Sequence, residues 1–177
     1  MIDYIDADIL QVAGYLPYGL AVGLPVAALT VWLLNRRRKK QQKPAVPWVP
    51  VTALCVYLAV LFTITFLSRE HGSRSEVLDM KLFSTWGIND RNNALVVENM
   101  LLFLPFGILY CWNSHRKKKL LRCTLLGALI SLGIETMQLI TGRGYFQIDD
   151  ILTNTLGALI GALLFVGIKV CKDFLSS

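Results

Sequence analysis

Residues 47–67 read PWVPVTALCVYLAVLFTITFL, a run without a single Lys, Arg, Asp, Glu or His. A helix rises about 1.5 Å per residue and a bilayer's hydrocarbon core is about 30 Å thick, so about 20 apolar residues cross it. The run lacks the period-2 alternation of a transmembrane β-strand. Working outward, comparable stretches occur at 14–34, 94–112, 120–140 and 151–170. The composition agrees. Of 177 residues 54% are hydrophobic and only 17% charged, where ordinary soluble chains carry about 25% charged residues. The mean hydropathy is +0.51. Abundant apolar surface excludes disorder. The sequence predicts an all-α, polytopic membrane bundle of five transmembrane helices, forming a single domain over residues 1–177.

The basic residues orient this bundle. Arg36, Arg37, Arg38, Lys39, Lys40 and Lys43 follow the first span. Arg116, Lys117, Lys118, Lys119 and Arg122 follow the third, and Lys169 and Lys172 end the fifth. Those alternate segments hold thirteen of the 18 basic residues, leaving Arg69, Arg74, Lys81, Arg91 and Arg143 for the other side. The positive-inside rule puts the first group in the cytoplasm, with the N-terminus outside and the C-terminus inside. Asp3, Asp6, Asp8, Glu70, Glu76, Asp79 and Asp90 then fall outside, and Trp32, Trp48 and Trp112 fall at the inner boundary. The net charge of +6 consequently points to anionic lipid, at about 1 kcal/mol per basic residue, and not to nucleic acid. An acidic N-terminus argues against a cleaved signal peptide.

Small residues predict how the spans pack. Gly19 and Gly23, and Gly157 and Gly161, are i,i+4 pairs that let helices approach closely. Pro25 and the Pro105–Phe106–Gly107 group predict kinks, tolerated where neighbouring groups satisfy the freed carbonyls. Pro105, Gly107, Gly157 and Gly161 are therefore expected to act in helix packing. Cys55, Cys111, Cys123 and Cys171 have neither disulfide nor metal-ligand spacing and read as small packing residues; no metal or cofactor is expected. The long outer segment 68–93 is either a functional loop or an interfacial segment through residues 80–86.

An ionisable residue near the centre of a transmembrane helix costs about 2.5–3.5 kcal/mol on insertion scales, so those present are candidates for function. They are Glu98 and Asn99 in the third span, Glu135 and Gln138 in the fourth, Asp149, Asp150 and Asn154 at the start of the fifth, and Arg143 in the short loop between those two. All fall in the outer half. Glu135 and Gln138 are i,i+3, and Asp150 and Asn154 are i,i+4, so each pair shares a helix face. Arg143 is within reach of either carboxylate. Asp149 reads as an N-cap or as a partner of the helix dipole. The set is either interhelical packing glue or a binding pocket.

Asn99-x-x-x-Phe103-x-Pro105-Phe106-Gly107, then Glu135-x-x-Gln138, Arg143, and Asp150-x-x-x-Asn154-x-x-Gly157 resemble the VanZ-like membrane proteins. The likeness is concentrated in residues 98–161. It implies a multi-pass protein of the bacterial cytoplasmic membrane related to resistance to lipoglycopeptides such as teicoplanin. Three readings follow. In the first, an outward polar pocket of Glu98, Asn99, Glu135, Gln138, Arg143, Asp149, Asp150 and Asn154 binds a lipid headgroup, a lipid-linked envelope precursor or the drug. The second is an intramembrane enzyme acting on a lipid-linked envelope substrate, with Glu135 and Asp150 as an acid/base pair. It has no nucleophile elbow, metal motif or phosphate loop to support it, and His71 and His115 flank opposite membrane faces. The third is a small proton-coupled carrier using Glu135, against which stands the absence of an internal repeat. The oligomeric state is open.

Overall fold

A computed structural model describes residues 1–67, 69, 78–114 and 116–176. Helix α1 covers Ile2–Ala13, α2 Leu16–Lys40, α3 Trp48–Phe62, α4 Asp90–Asn113, α5 Lys119–Thr141 and α6 Ile148–Leu175. A π-helical turn, Thr63–Leu67, extends α3. Five of these elements, α3 counted with its π turn, are long and apolar enough to cross a membrane, at 20 to 28 residues each. They are the five expected spans. Their ends run beyond the apolar stretches: α2 carries its helix through Arg36–Lys40, where cations favour the helix C-terminus.

Helix α1 is a correction to the sequence reading, which takes the acidic N-terminus only as an outer segment. It is too short to span. One ion pair of each polarity fastens it to the start of α4: Arg91 Nη1 lies 2.6 Å from Asp8 Oδ2, and the N-terminal amine 3.2 Å from Asp90 Oδ2. The Arg91 guanidinium also lies 5.6 Å from the centre of the Tyr4 ring.

The burial pattern is inverted relative to a soluble protein. Leu129, Leu132, Ile160, Leu163 and many other large apolar side chains point outward, whereas Ser131, Glu135, Gln138, Thr153 and Asn154 are buried. On a water-soluble chain that exterior would be an aggregation surface; on five spanning helices it is the surface offered to lipid. Inside, Phe103, Phe106, Leu61, Cys111, Cys123, Ala158 and Ala162 form the apolar core. All four cysteines are free thiols.

Helices α4 and α6 meet backbone to backbone. A Cβ on Gly107 would collide with the carbonyl oxygen of Ala158, one on Gly157 with that of Met100, and one on Gly161 with that of Leu104. With hydrocarbon on both sides of the transfer there is little hydrophobic gain from helix association, so such close van der Waals contact is what holds spans together. The second glycine pair performs the same service between α2 and α3, where Gly19 and Gly23 face Val60 and Val56. Both Pro25 and Pro105 lie inside continuous helices. Beside Pro105, the Tyr57 hydroxyl donates to the Leu102 carbonyl at 2.6 Å, tying α3 to α4. At the opposite end Asn113 Nδ2 donates to the Pro50 carbonyl at 2.8 Å.

Gly107→Ala is expected to lower the thermal unfolding midpoint in detergent, at a cost of about 1–3 kcal/mol from overpacking. Gly133, whose missing Cβ has nothing within 4 Å, supplies the control: Gly133→Ala is neutral, or stabilising by up to about 1 kcal/mol through helix propensity. Equal behaviour of the two variants would mean that the α4–α6 seam is not tightly packed.

Candidate functional site

The site is built where α5 stops and the chain turns back. Gly142, with φ +61°, ends α5 in the left-handed conformation that glycine adopts without strain. The Arg143 amide then donates to the Gln138 carbonyl at 2.9 Å. The connection runs into a two-residue strand β2, Phe146–Gln147, paired in parallel with β1, Leu78–Asp79. Gln147 caps α6, and its backbone amide donates to Glu135 Oε2 at 3.1 Å. The turn thereby lays a donor onto a buried acid in the helix that precedes it.

Around Glu135 three expected residues converge. The Asp150 carboxylate acts electrostatically on Glu135, and the Asn99 side chain hydrogen-bonds Asp150. One turn further into the bundle, Asn154 Nδ2 donates to Ser131 Oγ at 2.8 Å, while the buried Asn154 Oδ1 has no donor. The arrangement is two carboxylates side by side, an amide on one of them, and an unused acceptor as the floor.

The cation of the site is Arg69. Its charge acts on both Glu135 and Asp150. A Cβ placed on Gly144 would come 2.8 Å from Arg69 Nη1 and 3.0 Å from Gln138 Oε1, which locates the guanidinium over the turn after α5. Arg69 is an exposed residue, so the acids have a positively charged mouth. The sequence reading assigns this part to Arg143 and leaves Arg69 among the loop charges. Arg143 instead donates from Nη1 to the carbonyls of Phe66, at 3.1 Å, and Arg69, at 2.7 Å, with its guanidinium 4.9 Å from the centre of the Phe66 ring. It acts as a positioning residue, holding the backbone from which Arg69 projects. Gln138 works alongside it, its Nε2 donating to the Thr65 carbonyl at 2.7 Å. Both grip the end of the second span, α3, where a widened π turn presents carbonyls for outside donors. Single π turns of this kind recur at functional sites.

Asp149 is not the cap of α6. Its carboxylate accepts from the Phe83 amide at 2.7 Å and the Thr85 amide at 2.9 Å, with Ser84 Oγ at 3.4 Å. Asp149 therefore clamps the loop before α4 over the start of α6, and Phe83 lies in the left-handed region at φ +61°. Asp79 braces the same loop: Ser84 Oγ donates to it at 2.8 Å and the Lys81 amide at 3.1 Å. Those hydrogen bonds, the Ser84 hydroxyl foremost, hold the Asp79 carboxyl below the usual carboxylate range. Glu98 lies elsewhere: it faces Asp8 and Arg91 at the α1–α4 junction, with Arg91 Nη1 3.9 Å from its Oε1.

Of the expected residues, Asn99, Glu135, Asp150 and Asn154 form the site, Gln138 and Arg143 frame it, Asp149 clamps the loop, and Glu98 belongs to the α1 anchor. Arg69, Ser131 and the Gln147 amide are additions that the sequence alone does not single out. Arg69 ends the most apolar run in the chain, which is a positional signal; Ser131 lies four residues before Glu135, on its face. The loop residues 68 and 70–77, with Glu70, His71, Arg74 and Glu76, and His115 lie outside the described residues. Among the described residues no cluster of metal-binding side chains occurs.

Asp149→Ala is expected to leave the helices intact and free the loop. The Phe83 and Thr85 amides should lose their protection in hydrogen exchange, each lost buried partner costing about 1–3 kcal/mol. Unchanged exchange at both amides would show that the clamp is incidental.

The profile of the VanZ/LLP1 family matches residues 53–170, a segment that holds every residue of the site. Protein VanZ of Enterococcus faecium is 26% identical over 118 residues, which cover 63% of this chain and 70% of that protein. No solved structure matches. The chain belongs to the VanZ/LLP1 family.

Proposed function

We propose that this protein lies in the bacterial cytoplasmic membrane with its basic end in the cytoplasm and the Arg69 end outside, and binds the polar head of a membrane-anchored amphiphile there. The head is that of a lipid, of a lipid-linked envelope precursor, or of a lipoglycopeptide such as teicoplanin; resistance to that drug class is the phenotype the VanZ-like resemblance suggests. The observation that carries the reading is a pair of carboxylates, Glu135 and Asp150, set among apolar helices beneath the exposed guanidinium of Arg69. Burying two acids side by side in a bundle is expensive, and packing alone does not require it. The Arg69 fork matches phosphate or carboxylate in geometry. Below it, the two carboxylates and the buried, donorless Asn154 Oδ1 are hydrogen-bond acceptors, which suits hydroxyl or amine groups of the same ligand. The anionic part of such a head remains at the mouth while its donors enter. Glu135 is about 9 Å in from the Thr141 end of α5 at 1.5 Å per residue, within reach of a membrane-anchored headgroup.

The juxtaposition of Glu135 and Asp150 also supports a second reading, in which one acid gives and the other takes a proton on a lipid-linked envelope substrate. A third, a proton-coupled carrier, has no further observation in its favour.

In a glycopeptide-sensitive Gram-positive host, wild-type protein is expected to raise tolerance to teicoplanin more than to vancomycin, which lacks a membrane-inserting tail. At matched membrane levels, Glu135→Gln, Asp150→Asn and Arg69→Ala should abolish that protection. Arg143→Lys, which can still reach a carbonyl, should retain part of it. Protection by all variants would reduce the acids to packing elements, and no protection by wild type would end the resistance reading. Mass spectrometry of the lipid extracts tests the second reading: a new lipid-linked product that disappears in Glu135→Gln would favour catalysis.

A further inference from the structure

The opposite end of the bundle carries a second, separate concavity of about 530 Å³ between the end of α4, the start of α5 and the last turns of α6. Its cations are Arg116 and Lys119 from one side and Lys169 and Lys172 from the other, against one acid, Asp173. Among the described residues none of these four cations takes part in an ion pair. The walls are apolar: Trp112, Phe165 and Ile168 line the same space, and Lys119 Nζ rests 5.7 Å from the centre of the Phe165 ring. Helix α5 begins here without a side-chain cap, so its first amides and the positive end of its dipole add to the field.

Scattered basic residues at a span boundary would need no special site. Here they converge from two chain-distant segments on a concave surface with an aromatic floor. The ligand that satisfies this arrangement carries a phosphate for the cations and hydrocarbon for the Trp112–Phe165 wall. We propose that this groove is a binding site for the phosphate of an anionic phospholipid headgroup, with the glycerol and upper acyl region against Trp112 and Phe165. A Lys or Arg near an anionic membrane surface attracts it electrostatically, and convergence on one phosphate adds charge-assisted hydrogen bonds to that. The site is independent of the Glu135–Asp150 pair and stands or falls without it.

The test is native mass spectrometry of the full-length protein released from detergent, titrated in turn with phosphatidylglycerol, phosphatidylcholine and inorganic phosphate. Wild type is expected to retain phosphatidylglycerol over phosphatidylcholine. The Lys119→Gln/Lys169→Gln/Lys172→Gln variant should weaken phosphatidylglycerol binding by about tenfold or more. The Arg36→Gln/Arg37→Gln/Arg38→Gln variant removes equal charge from the C-terminal turns of α2 and should change it by less than about threefold. Should the triple groove variant misfold, Lys169→Gln and Lys172→Gln, both at exposed positions, are read singly, each expected to weaken binding several-fold. Equal losses in the groove and α2 variants would mean diffuse charge and overturn the site. Equal retention of the two lipids would do the same. Binding of inorganic phosphate that displaces phosphatidylglycerol would assign the groove to a soluble anion and overturn the lipid assignment.

Discussion

The contact on which the rest of the bundle depends is the one between the α4 and α6 backbones. Gly107, Gly157 and Gly161 bring each helix against a carbonyl of the other, a distance that no residue with a Cβ permits. Asn99 is one residue from Met100, against whose carbonyl Gly157 packs, and Asp150 lies about two turns from Gly157 toward the same end. The glycine seam thus sets the spacing at which an α4 amide meets an α6 carboxylate. Gly127, whose Cβ would reach Ala158 Cβ at 2.8 Å, brings α5 to the same ridge. Glu135, about two turns on from Gly127, then faces Asp150. Polar convergence in this molecule is a consequence of small residues lower down.

The second span contributes through an irregularity. A regular helix satisfies its own carbonyls, but at the Thr63–Leu67 turn two residues from another part of the chain take over. Gln138 binds the Thr65 carbonyl, and Arg143 binds those of Phe66 and Arg69. The carbonyls leading to Arg69, and its own, are thus held by donors from the end of α5 and the turn after it. Arg143 and Arg69 therefore have unlike roles despite like charge: one shapes the backbone, the other presents its guanidinium to the acids.

The five spans were legible because length and apolar content are local properties, and the packing glycines because their i,i+4 spacing defines a face. The Glu135 and Asp150–Asn154 pairing was legible for the same reason. Arg69 was not, since its partners are distant in the chain and no local pattern records them. Arg143 was misread because a long side chain in a short loop reaches several acceptors, and only the position of the π turn selects among them. Glu98 and Asn99 were grouped although consecutive helix residues project about 100° apart; the periodicity itself implied that they serve different neighbours. Helix α1 did carry a local signal, an apolar stripe of Ile2, Ile5, Ile9 and Val12 at helical spacing, but it is too short to register among stretches sought for their spanning length.

Asp149 and Asp150 are separated by one peptide bond, yet one holds the outer loop and the other belongs to the site. Both ride on the first turn of α6. Rotating or lifting that turn to accommodate something at Asp150 would drag the Phe83–Thr85 amides with it, and a pull on the loop would be felt at the acids. The adjacent pair thus ties the loop amides and the buried acids to one helical turn above the glycine seam. What occupies the interior and what the exterior loop presents to its surroundings are, mechanically, two faces of a single displacement.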